Sequence, residues 1–145
     1  MDSLELARAC AADMYSKDNA SRALGIKVSV EQPGESTASM SVRPDMVNGH
    51  ALCPGGLIFS LAETAFAFAC NAYDDVTVAA GASIDFVRPA KLGDELVARA
   101  REKHRGRRNG LYEVEIRNQD DQLIALFLGR SASLGRPTLG QTDTQ

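Results

Sequence analysis

The sequence predicts an α+β chain in which a curved antiparallel β-sheet wraps one central buried α-helix. Three observations lead there. The run from Leu57 to Cys70 is apolar nearly all round and rich in Ala and Leu, which favours a helix buried on every face over a strand. Six other stretches alternate apolar and polar residues with a period of two, separated by turn signals. Their order is two strands, the helix, then four strands, with no repeat or linker to mark a second domain.

Length and composition agree with a single soluble domain. A chain of 145 residues can bury a sizeable core, and 44% hydrophobic with 24% charged residues excludes general disorder. A net charge of -3 supplies no basic field, so no nucleic-acid partner is expected. Three cysteines, odd in number and widely spaced, suit reduced thiols better than a disulfide framework, and no metal is expected. The N-terminus carries acids among its apolar residues and lacks the pattern of a secretion signal. The central run is shorter than the about 20 apolar residues of a membrane span and contains Glu63. A cytoplasmic location without membrane attachment is the expectation.

The elements follow in order. Leu4, Ala7, Ala11 and Met14 recur at helical spacing behind a cap at Asp2 or Ser3, which predicts a helix over Ser3 to Ser16 packed on the outside. Gly25 to Glu31 and Ser36 to Val42 alternate around the turn Gln32-Pro33-Gly34 and predict a hairpin with Ile26, Val28, Val30 and Ala38, Met40, Val42 facing inward. A loop from Arg43 to Pro54 precedes the central helix. Val76 to Val87 is rich in β-branched residues and ends at Arg88-Pro89. Glu95 to His104 buries Leu96, Ala98 and Ala100, and the turn 105–110 carries Asn109-Gly110, a strong hairpin signal. Leu111 to Asn118 and Leu123 to Ser133 complete the set. The polar tail 136–145 is expected to be disordered, which leaves 1–135 as the single folded domain.

The chemistry converges on Asn48 to Asn71. Gly55-Gly56 opens the helix, and amides at a helix start are unpaired and sit at the positive end of its dipole, so they offer a place for a carbonyl oxygen gaining negative charge. Glu63 is the only carboxylate in this stretch. Poorly solvated among apolar neighbours, it is a candidate general base for water or a nucleophile. Thr64 beside it is a candidate partner for water or carboxylate. The bland readings are a loop-forming glycine pair and a glutamate reaching solvent at a subunit edge. His50 and Cys53 lack a third orienting residue for a catalytic pair. His104 and the basic residues Arg101, Lys103, Arg105, Arg107 and Arg108 read as a solvated hairpin tip, or as a contact for phosphates.

Two strands, a helix and four strands with the helix sheathed by the sheet is the hot-dog fold. The segments NGHALCPGGLIFSLAETAFAFACNAY and ASIDFVRPAKLGDELVA, with the closing IALFLGRS, closely resemble the PaaI-type acyl-CoA thioesterases of phenylacetate degradation. The resemblance covers about Leu4 to Leu134. It implies hydrolysis of an aryl-acetyl-CoA, such as hydroxyphenylacetyl-CoA, to the free acid and coenzyme A, with coenzyme A as part of the substrate and no separate cofactor. It implies that Gly55 supplies the oxyanion N–H, Glu63 the catalytic carboxylate, and that Asn48 places substrate or water; Gly56, Thr64, Pro54 and Arg88 are the substrate-binding candidates. Two departures stand out. Pro54 occupies the place of the usual histidine, its ring suited to the first helical position, and Glu63 replaces the aspartate of near relatives.

Gly55 and Glu63 are eight residues apart, roughly 12 Å along one helix, too far to serve one thioester carbon. The expected partner is therefore a second copy: a homodimer whose sites are completed in trans, paired again as a dimer of dimers, a homotetramer. Two other classes remain, a hot-dog module that binds acyl-CoA without cleaving it and a hot-dog dehydratase using His50.

Overall fold

The computed structural model describes residues 1–140. It consists of α1 (Ser3–Ser16), α2 (Asn19–Ala23), β1 (Lys27–Gln32), β2 (Glu35–Ser41), α3 (Gly55–Cys70), β3 (Thr77–Phe86), β4 (Glu95–Arg105), β5 (Asn109–Arg117) and β6 (Leu123–Ser133). The strands form one antiparallel sheet in the order β1-β2-β4-β5-β6-β3. α3 lies across its inner face: Ile58, Leu61, Ala62, Ala65, Phe66 and Ala69 pack against alternate residues of β2, β4, β5 and β6, such as Met40, Leu96, Ile116 and Phe127. Ser36 donates to the Ala65 carbonyl at 2.5 Å, a buried polar tie between β2 and the helix. This is the hot-dog fold.

The two ends of the sheet are treated differently. At β1 the helix α1 covers the edge, with Arg8 Nε donating to the Val30 carbonyl at 3.2 Å and the Tyr15 hydroxyl to the Ile26 carbonyl at 2.6 Å. β3, ten residues long, pairs with no strand on its outer edge among the described residues, and Val78 and Phe86 are exposed. An unpaired edge of this length is a template for another strand. α3 runs antiparallel to it, so Gly55 meets Phe86 at one end and Asn71 bonds Thr77 at the other.

Several local expectations change. α2, capped by Asp18 accepting from Ser21 N at 2.9 Å, and a short 3-10 turn at Pro44–Met46 have too few residues to give a periodic signal. Asn109-Gly110 does not form the β4–β5 turn; it lies in β5, and the chain reverses through Gly106-Arg107-Arg108. Gly110 is needed for closeness instead, since a Cβ there would stand 2.8 Å from Ser131 Oγ. Part of the tail expected to be disordered is bonded into the domain: Val76 N donates to the Arg136 carbonyl and Leu139 N to Asp74 Oδ1, each at 2.8 Å, and Thr138 is buried. The remainder, 141–145, lies outside the described residues.

Candidate active site

Pro54 determines the state of the helix start. It is the N-cap of α3, extended at φ -61° and ψ 147°, one place earlier than the first helical position expected from the sequence. Its carbonyl accepts from Leu57 N at 3.1 Å and Ile58 N at 3.5 Å. The amides of Gly55 and Gly56 have no partner among the described residues. A Ser or Asp at the cap would fold its side chain back onto such amides; proline has no group that does so. The positive end of the helix is thus left open to an incoming oxygen.

Gly55 forms one wall of a cavity of about 420 Å³ with Cys53, Ile58, Phe86, Arg88 and Pro89. A side chain here would displace the Phe86 ring, because a Cβ on Gly55 would be 2.7 Å from Phe86 Cζ. Arg88 is exposed and forms no ion pair among the described residues. The structure therefore brings Gly55 and Arg88 together, with Pro54 and Gly56 adjoining them along the chain.

Glu63 lines a separate cavity of about 360 Å³ with Met14, Phe66, Asn71, Val78 and Thr138. Burial pushes its carboxyl above the ordinary glutamate value, and the negative charge of Asp18 adds to this. A carboxylate that water solvates poorly is a stronger base. Thr64 is less available than expected: its Oγ1 donates to the Ser60 carbonyl at 2.7 Å, which leaves only lone pairs for a water.

Asn48 belongs to the loop that leads into the helix. Its Oδ1 accepts from His50 N at 2.9 Å and Leu52 N at 3.2 Å, while Asn48 N donates to the Leu52 carbonyl at 2.9 Å. The side-chain oxygen is spent on loop shape, and the Nδ2 donor is what remains for substrate. Cys53 is buried, its thiol pushed up by burial, and its Sγ faces the Pro54 carbonyl at 3.8 Å. His50 is exposed and lines neither cavity. Arg105 stacks over the Tyr73 ring at 3.7 Å, and Arg107 and Arg108 are exposed.

Gly55 and Glu63 thus face different cavities within one chain, at the Phe86 end and the Thr77 to Ala79 end of β3. Among the wall residues the sequence reading did not single out are Phe86 and Thr138. Phe86 lies in the alternating strand expected over Val76 to Val87 and is 52% exposed; Thr138 sits in a polar tail with no pattern.

The family model of the thioesterase superfamily matches residues 52–125. The acyl-coenzyme A thioesterase PaaI of Escherichia coli (strain K12) is 43% identical over 128 residues, 88% of this chain and 91% of that protein. The chain belongs to the thioesterase superfamily. Within it, this thioesterase is of the PaaI type. The solved structure of E. coli PaaI, from the phenylacetic acid degradation operon, superposes with a TM-score of 0.91 at 41% identity, covering 94% of the thioesterase and 99% of that chain. A single-residue variant of the phenylacetic acid degradation protein PaaI from Thermus thermophilus gives a TM-score of 0.77 at 37% identity, over 81% of the thioesterase and all of that chain. The family match takes in Gly55, Glu63, Phe86 and Arg88 and leaves out Asn48 and Thr138. Among the described residues, no helix of the thioesterase is long and apolar enough to cross a membrane.

Proposed function

We propose that the protein hydrolyses an aryl-acetyl-CoA thioester, of the hydroxyphenylacetyl-CoA kind, to the free acid and coenzyme A, and that it does so as a dimer with two sites completed in trans. The aryl-acetyl preference draws on the likeness to the acyl-coenzyme A thioesterase PaaI. The observation that carries the trans site is the disposition of α3 along the bare strand β3. When two β3 edges pair antiparallel about a two-fold axis, the Phe86 end of one lies against the Thr77 end of the other. The Gly55 amide of one chain then approaches the Glu63 cavity of its partner.

In that site the thioester oxygen accepts from Gly55 N–H, with Gly56 N–H as a second donor at the dipole end. The substrate carbonyl is polarised, and Glu63 acts in one of two ways. As a base it takes a proton from the attacking water, the tetrahedral intermediate collapses with cleavage of the C–S bond, and the coenzyme A thiolate takes up the proton that Glu63 holds. As a nucleophile it displaces coenzyme A thiolate, which is protonated by water, and leaves a mixed anhydride that a water molecule then hydrolyses to the free acid, restoring the Glu63 carboxylate. Asn48 Nδ2 orients substrate or water, Thr64 Oγ1 accepts from the water, Pro54 keeps the amides open, and Arg88 faces the anionic substrate at the cavity rim. No metal or separate cofactor enters this scheme. The test is release of free thiol from a panel of acyl-CoA thioesters, aryl-acetyl members included. Hydrolysis fastest on aryl-acetyl thioesters is expected; tight binding without thiol release would make the protein a binding module instead.

A further inference from the structure

The cavity beside Glu63 has a far wall that hydrolysis itself does not use. The segment after β6 closes it, pinned to the loop after α3 by Leu134 N to the Val76 carbonyl, Val76 N to the Arg136 carbonyl and Leu139 N to Asp74 Oδ1, all 2.8 Å. Thr138 is thereby turned inward and is only 8% exposed. Its Oγ1 is the one buried side-chain polar atom of the described residues that lacks a hydrogen-bond partner. A hydroxyl removed from water and left so is unfavourable until something meets it.

The other polar groups of the wall are already committed. Asn71 Nδ2 donates to the Ala67 and Thr77 carbonyls, both at 2.9 Å, and its Oδ1 accepts from Thr77 N at 2.8 Å. Thr77 Oγ1 donates to the Asp75 carbonyl at 2.8 Å, and Cys70 Sγ to the Ala67 carbonyl at 3.5 Å. Met14, Phe66 and Val78 supply apolar surface. What remains is an apolar chamber of about 360 Å³ with a reactive carboxylate at one place and a single uncommitted hydroxyl at another, not bonded to each other. Few, well-placed polar groups in an apolar pocket set which ligand fits and how it lies.

We infer that Thr138 is a specificity residue: its Oγ1 hydrogen-bonds a hydroxyl substituent on the acyl group whose thioester carbon stands at Glu63. The inference rests on the acyl-CoA thioesterase reading above and goes beyond it in assigning the substituent a partner, one supplied by the C-terminal segment. The test compares kcat/KM for phenylacetyl-CoA with that for its ring-hydroxylated counterparts, in the wild type, Thr138→Val and Thr138→Ser. Loss of one hydrogen bond to a neutral hydroxyl should lower the ratio of hydroxylated to plain substrate about tenfold in Thr138→Val, with Thr138→Ser keeping most of it. An unchanged ratio in a folded Thr138→Val protein overturns the inference while leaving the thioesterase reading intact. Dissociation constants of the non-hydrolysable thioether analogues of the same compounds give a second readout that needs no turnover. If the wild type binds hydroxylated and plain analogues equally, the inference fails whatever the protein hydrolyses.

Discussion

Glu63 is held where ionisation is disfavoured, and two consequences follow at the level of one side chain. Glu63→Gln should lower kcat about 100-fold or more, since it removes the proton acceptor but keeps the shape; thiol release with an aryl-acetyl-CoA measures it. The pH dependence has a definite sign. Burial raises the carboxyl above its ordinary 4.5, so the neutral form is favoured in the folded state, and the penalty for ionisation is absent below 4.5 and complete above the raised value. Glu63→Gln should therefore melt at a higher temperature than wild type at pH 7 to 8, with the gap closing as pH falls toward 4.5; the acid limb of kcat should have its midpoint above 4.5. The three thiols behave differently. Cys10, Cys53 and Cys70 are all buried, and burial pushes Cys70 up to about 12. A thiol-disulfide reagent at neutral pH should find almost none of the three in the native protein and all of them in denaturant.

At the scale of the element, α3 has conflicting duties at its start and its middle. The middle is core: the Phe66 ring lies 5.4 Å from Tyr112 and 5.7 Å from Phe127, centroid to centroid. Phe66→Ala should cost about 3–5 kcal/mol of unfolding free energy in a denaturant titration. The start is left uncapped by Pro54, which sacrifices helix stability for two open amides. Pro54→Ser introduces a capping oxygen that can accept from Gly56 N–H, one of the two open amides. It should raise the melting temperature by a few degrees while lowering kcat/KM, and a variant improved in both would mean that the Gly56 amide does not hold the substrate oxygen.

The whole molecule decides whether a site is complete. Covered by α1 at β1 and bare at β3, the sheet offers a second copy one edge, with α3 of each chain alongside. A hybrid dimer of one Glu63→Ala chain and one Gly55→Pro chain checks the arrangement. Gly55 is the first helical residue, where a helix tolerates proline and loses the amide hydrogen; because the added ring would crowd Phe86, both parents are first shown to be folded and dimeric. In trans, one site receives both lesions and the other none, so the hybrid should keep about half of wild-type activity. Two inactive parents that give an inactive hybrid would place both groups in one chain's site.

Much of this was legible in the residues because it is encoded locally. The all-round apolar run from Leu57 to Cys70 admits no exposed face, so the remaining strands had to enclose it; alternation at Ala38 and Met40, and at Leu96, Ala98 and Ala100, told which faces turn inward. Gly55-Gly56 and a lone Glu63 in the same run mark the proposed site because unpaired amides and a desolvated carboxylate are rare in apolar sequence. Tertiary structure alone decided the rest. Whether Phe86 is core or rim depends on β3 being an edge, a matter of strand order that alternation does not contain. Asn109-Gly110 carries a turn signal but lies in a strand, because packing beneath Ser131 outweighed local preference. Thr138 reads as part of a polar tail; only the bonds its neighbours make to Asp74 and Val76, far away in sequence, turn its hydroxyl into the cavity of Glu63, and contacts between such distant residues leave no periodic trace in the chain.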